Sequence, residues 1–170
     1  MKQTLKRLGY LLLLTLCFNC LNASAENEEI EKLLLKQIDE QRMAYKLYTE
    51  LYKTHPEVKI LKGMIAAKKE NFSTLVKYAE ENHPDLKLGQ LNGTFKVRET
   101  GKLYDEWLKQ GKASSKDAVE VGIELEEWNV EEIGDFLKLQ PQQDLAEILN
   151  RVEQDSKKNK ATFRRQKTRG

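Results

Sequence analysis

Apolar positions recur at steps of three and four residues along five stretches of the chain, and each stretch reads as a helix with one face turned to a core. The first runs from about Glu28 to Lys53, with Ile30, Leu34, Ile38, Tyr45, Tyr48 and Tyr52 on its stripe. Thr54-His55-Pro56 interrupts it, because proline disfavours helical geometry in the residue before it. The second runs from about Pro56 to Asn82 through Val58, Ile65, Phe72, Val76 and Ala79, and His83-Pro84 stops it. A long connection to about Arg98, with Gly89 and Asn92-Gly93, precedes a short amphipathic helix carrying Leu103, Tyr104, Trp107 and Leu108 and ending at Gly111. Ser114 or Ser115 can then cap a helix from Asp117 to Leu137, whose stripe holds Val119, Gly122, Ile133 and Phe136. Gln140-Pro141 closes that helix, and the last, about Gln142 to Arg165, carries Leu145, Leu149, Val152 and Phe163.

The pattern predicts an all-α fold: a four-helix bundle with a long crossover and a short extra helix between helices two and three. Each long helix has a polar interruption near its middle: Gln41, Lys69, Glu126 with Asn129, and Ser156 with Asn159. Such positions are commonly solvated edges of a stripe, but they can also meet in one buried layer. Glu126 sharpens the choice. A carboxylate aimed at a core needs a cation, a hydrogen-bonding partner or a proton, so its partner is to be sought on another helix.

The first 25 residues differ from the rest. Lys2, Lys6 and Arg7 precede an apolar run from Leu11 to Phe18, and Ala23-Ser24-Ala25 supplies a small-x-small cleavage pattern. Residues 1–25 are read as a cleaved secretory signal, residues 26–165 as the helical domain and residues 166–170 as a basic tail, which makes the protein exported, periplasmic or secreted. The apolar run is short for a membrane span of about 20 residues. Both cysteines, Cys17 and Cys20, fall inside the signal, so disulfide and thiolate chemistry are excluded from the remainder. Removing the signal's three bases also takes the net charge from +2 to −1. Lys157, Lys158, Lys160, Arg164, Arg165, Lys167 and Arg169 still gather at the end, where a weak contact with an anionic surface is the functional reading and a solvated helix end the plainer one. Phe163 alone among aromatics interleaves them, so no nucleic-acid partner is expected.

The run Leu103-Tyr104-Asp105-Glu106-Trp107-Leu108-Lys109-Gln110-Gly111-Lys112-Ala113-Ser114, followed by Asp117-Ala118, Gly122 and Leu125-Glu126-Glu127-Trp128-Asn129-Val130, closely resembles a ferritin-like family still classed as a domain of unknown function, DUF2202. Fainter matches at Glu40 to Tyr48, Ile65 to Val76 and Ser156 to Phe163 extend the resemblance over residues 35 to 165. It implies a ferritin-like bundle holding two iron or manganese ions through inward Glu and His side chains. Carried over residue by residue, however, the first-helix acid falls on Gln41, and the Glu-x-x-His pair of the second helix on Lys69 and Phe72. The third-helix acid is Glu126, and the fourth-helix histidine becomes Asn159. One ligand survives. Glu40 and Glu70 stand beside failed positions but are expected to face away from the seam, since one residue turns a helix by about 100°. The only histidines, His55 and His83, each precede a proline at a helix junction, where exposure is expected.

Lys69 and Glu126 are therefore expected to form an internal ion pair in place of the metal, with Gln41 and Asn159 completing its hydrogen bonds; the alternative is a Lys69 that reaches solvent at the bundle's edge. No phosphate-binding glycine loop and no cysteine or histidine nucleophile pair is present. The expected function is a non-catalytic binding or structural module with an unnamed partner and no cofactor. The alternative is an iron- or manganese-binding oxidase. Tyr45, Tyr78, Tyr104, Trp107 and Trp128 are candidates for a contact surface or for ordinary packing, and the resemblance leaves a homodimer open.

Overall fold

The structure, a computed structural model, describes the backbone of residues 2–168 and the side chains of residues 27–168. The side chains of the expected signal, residues 1–25, and the tail's Arg169 and Gly170 lie outside what is described. Among the described residues the chain is all-helical and has no strand: α1 (Lys2–Thr54), α2 (Ile60–Asn82), α3 (Arg98–Gly111), α4 (Ser115–Lys138) and α5 (Gln143–Lys167). No helix among them is long and apolar enough to cross a membrane. The chain divides into two compact units, one reaching to Leu33 and the other beginning at Leu34, and everything below concerns the second.

The starts of α1 and α2 differ from the sequence reading, α1 being helical from Lys2 and not from about Glu28. α2 begins at Ile60 rather than Pro56, because Pro56 to Lys59 form a turn in which the Val58 amide bonds the His55 carbonyl at 3.0 Å. α3 begins at Arg98, five residues before its first large apolar side chain, after an extended Val97. Ser114 caps α4, its hydroxyl accepting from the Asp117 amide at 3.1 Å. That bond satisfies one of the donors every helix start leaves open.

Contacts between α1 and α4 fix their antiparallel alignment: Tyr48, Gln41 and Lys36 meet Glu126, Asn129 and Glu132 in turn. α4 and α5 are likewise antiparallel, with Asn159 opposite Glu126 and Phe163 against Gly122. A Cβ at Gly122 would lie 2.5 Å from the ring carbons of Phe163, so only glycine admits this approach. The apolar core gathers Met43, Leu47, Tyr48, Leu51, Leu61, Met64, Val121, Leu125 and Phe163.

The most enclosed stretch lies on α1, not on α4, to which the polar stripe draws the eye. Residues 37–44 of α1 are buried on every side, although five of them, Gln37, Asp39, Glu40, Gln41 and Arg42, are polar. The cause is the connection between α2 and α3, residues 83–97, which covers the face of α1 that would otherwise meet water. Arg42 pairs with Asp39 and donates to the carbonyls of Gly89 at 2.7 Å and Thr94 at 2.9 Å. Asp39 in turn accepts from the Lys96 and Val97 amides, the latter at 2.6 Å. A buried charge pair that also answers four backbone groups of a loop offsets its own desolvation and pins that loop.

Candidate functional site

Near the middle of the bundle, side chains from α1, α2, α4 and α5 converge on Glu126, which is fully buried. The Lys68 ammonium lies 2.7 Å from Oε2 of Glu126 and 3.2 Å from the Ser156 hydroxyl, and both partners of the ion pair are 0% exposed. Oε1 of Glu126 accepts from the Tyr48 hydroxyl at 2.9 Å and from Asn159 Nδ2 at 3.2 Å. Burial first, then the adjacent Glu126 charge, holds the Tyr48 hydroxyl well above its ordinary pKa, so it remains a donor. Each carboxylate oxygen thus has a donor, two of them uncharged and one cationic.

Glu126 and Asn159 stand where the sequence reading put them, but the cation does not, and Gln41, expected to complete the pair's hydrogen bonds, donates to Asn129 instead, leaving that role to Tyr48 and Ser156. Lys69 is exposed, on the outer face of α2, and Lys68 takes the inward position. Phe72 is buried, yet it lies beneath the Arg42 guanidinium, 5.4 Å from centroid to Cζ, and not in the Glu126 layer. The physical reason is helical phase. On the expected seam Phe72 and Ala79 are buried but Ile65 and Val76 are only half-buried, so Lys69, four residues after Ile65, lies outside the buried face, one residue or about 100° from Lys68. Leu61, Met64, Lys68, Asn71, Phe72, Leu75, Tyr78 and Ala79 form the buried face.

One turn along, Gln41 donates to Asn129 Oδ1 at 3.2 Å. Gln41 Oε1, Asn129 Nδ2 and Asn71 Nδ2 are buried without a hydrogen-bond partner. A further turn toward the N-terminal end of this part of α1, Gln37 donates to Glu40, and Lys36 bridges Glu132 and Glu40, the latter at 3.7 Å. Glu70 is exposed as expected, but Glu40 is fully buried against α4 instead of facing away. Burial raises the Glu40 carboxyl well above its ordinary range; Lys36 offsets part of this and Glu132 adds to it. His83 also departs from expectation: it is 7% exposed, packed 6.0 Å from the Tyr78 ring. Among the described residues, no three His, Cys, Asp or Glu side chains are grouped so as to hold a metal ion.

The surface offers less than the sequence suggested. Trp107 packs edge-on to Trp128 at 5.7 Å, Tyr104 against Phe95 at 5.3 Å, and Tyr78 is buried. Leu139 is the one large apolar side chain exposed among the described residues. Most bases of the α5 end meet acids: Arg164 and Lys160 share Glu127, Lys167 pairs with Glu120 at 2.7 Å, and Lys157 with Glu153 at 2.7 Å. The notable concavity, about 480 Å³, lies at one end of the bundle between Val58, Ser115, Lys116, Val119 and Gln166.

The site defines a helical bundle closed around a buried, fully partnered ion pair. The chain matches, over residues 29–170, the family model described as an uncharacterized protein domain, DUF2202, and it belongs to that family. Among solved structures it is similar to the crystal structure of hypothetical protein MJ0754 from Methanococcus jannaschii, with a TM-score of 0.76 and 18% identity over 82% of this chain and 79% of that one. At that identity the likeness is one of fold alone. No curated protein matches the chain.

Proposed function

We propose that this protein is an exported, ferritin-like four-helix bundle in which a lysine has taken the place of a di-metal centre, and that it serves as a non-catalytic binding or structural module. The observation that carries the reading is the Lys68 ammonium held between Glu126 and Ser156 at the centre of four helices. Ferritin-like di-metal bundles draw one Glu from each of two helices and a Glu-x-x-His pair from each of the other two. Part of that spacing is kept among the inward polar positions: Lys68 with Asn71 on α2 and Ser156 with Asn159 on α5 are pairs three residues apart, and Gln41 on α1 and Glu126 on α4 face them, with Asn129 as a further buried amide on α4.

The donors do not fit the metals. Iron and manganese need several carboxylates and imidazoles, and this set holds one carboxylate, one ammonium, three amides and a hydroxyl. An ammonium 2.7 Å from Glu126 supplies the positive charge that the carboxylate requires, so the layer is neutral as it stands. Support for export is the segment of residues 1–25 with its basic start, apolar run and Ala23-Ser24-Ala25 end. The end cavity of about 480 Å³ is within the size range of small-ligand sites and is where a small-molecule partner would be sought first.

The test is metal content by mass spectrometry on the untagged full chain, after incubation with ferrous and manganous ions and removal of the excess. No stoichiometric metal is expected. About two ions per chain, lost on Glu126→Ala, would overturn the proposal and favour an oxidase.

A further inference from the structure

The cavity of about 480 Å³ at one end of the bundle draws its walls from three places in the chain: the turn before α2, the first turns of α4 and the last turn of α5. Val58 and Val119 give it an apolar wall, and both belong to the core. Ser115, Lys116 and Gln166 give it a polar one. Among the described residues none of these three side chains makes a hydrogen bond or an ion pair. Polar groups of the same turns that do not line the cavity are satisfied: Ser114 and Asp117 bond each other, and Glu120 takes Lys167 at 2.7 Å. Charge adds a second observation. Lys116 and Glu57 both line the cavity and both are exposed, yet they do not pair with each other, and the ion-pair partner of Glu57 is His55, 3.5 Å away and charged only when protonated. The start of α4 and the end of α5 bring opposite dipole ends, which offset. The lining therefore presents one open cation and one open anion beside an apolar wall.

We infer that this cavity binds a free α-amino acid with an aliphatic side chain, its carboxylate on Lys116 and Ser115, its ammonium on Glu57 and its side chain against Val58 and Val119. A zwitterion answers both open charges at once, whereas a fatty acid or an alkylamine answers one and leaves the other. No aromatic residue lines the cavity, so a ring would gain no stacking partner. A phosphate would find one free lysine and no arginine fork. The two charges are exposed, so each contributes little, and apolar contact supplies most of the affinity of a weak, exchangeable ligand. This deepens the binding-module reading above and rests on it, naming the class of small molecule that the module takes. It uses none of the residues of the Lys68–Glu126 layer.

Methyl NMR of the full chain tests this, with the Val58 and Val119 signals followed as leucine, isocaproate (leucine without its ammonium) and isopentylamine (leucine without its carboxylate) are added in separate titrations. Leucine should shift both signals saturably, and each analogue should bind about fivefold more weakly, the upper end for an exposed ion pair. Lys116→Met should bring leucine down to the level of isopentylamine, and Glu57→Gln should bring it down to that of isocaproate; both positions are exposed, so both variants keep the fold. Lys69→Met, an exposed lysine away from the cavity, should change neither. No saturable shift at Val58 and Val119, or analogues that bind as well as leucine, would overturn the assignment and leave the reading above to its own metal measurement, which does not involve this cavity.

Discussion

Substituting Lys68 by Met keeps the length and apolar volume of the side chain but removes its charge, leaving Glu126 buried with two uncharged donors, Tyr48 and Asn159. At 2.7 Å the lost attraction is about 6 kcal/mol at an effective dielectric constant of 20. The folded protein has an escape, which is to take up a proton on Glu126. Protonating a carboxyl of ordinary pKa, about 4.3, costs about 3.7 kcal/mol at pH 7 and about 1 kcal/mol at pH 5. The smaller cost governs, so the expected destabilisation is about 3–4 kcal/mol at pH 7, in the range found when one partner of a buried pair is removed. In the variant the folded carboxyl binds a proton more tightly than the unfolded one, so stability falls as pH rises. The deficit against wild type therefore shrinks toward pH 5. Urea denaturation followed by circular dichroism at pH 5, 6 and 7 measures it. A deficit below about 1 kcal/mol at pH 7, or one that does not change with pH, would refute the reasoning. Lys69→Met is the control, and at an exposed position it should stay within about 0.5 kcal/mol of wild type.

Glu40→Gln should make the protein more stable at pH 7, because a folded carboxyl held well above 4.5 gives stability that is lost as pH rises from that value through the folded one, and the variant removes this slope; denaturation midpoints between pH 4 and 8 report it. Gly122→Ala drives a methyl into the fully buried Phe163 ring and should cost about 1–3 kcal/mol in thermal or urea unfolding, partly recovered by Phe163→Leu in the same chain. Arg42→Met leaves Asp39 unpaired and frees two carbonyls, so it should cost about 3–5 kcal/mol and speed amide hydrogen exchange across residues 89–97 before the rest of the molecule.

Periodicity was enough to read the all-helical class, the number of long helices and most of their ends, because a 3.6-residue apolar repeat and proline or serine punctuation act through the local chain. Glu126 was legible for the same reason: its stripe lies wholly within one helix, Ser115–Lys138, whose start Ser114 marks. Its partner was not. Choosing Lys68 over Lys69 is a choice of rotation for α2, and that rotation is decided by burying Leu61, Met64, Leu75 and Tyr78 against the other helices. No local signal distinguishes two adjacent lysines. The burial of Asp39, Glu40 and Arg42 was not legible either, since they lie off the apolar stripe of α1, and it is the connection lying over α1 that encloses Asp39 and Arg42. What the sequence by itself determined was which segments would be helical and that one acid would need a partner. Which side chain met that acid, and which charges the loop enclosed, were settled by packing between segments distant in the chain, where burial is a property of the assembled bundle and not of any one helix.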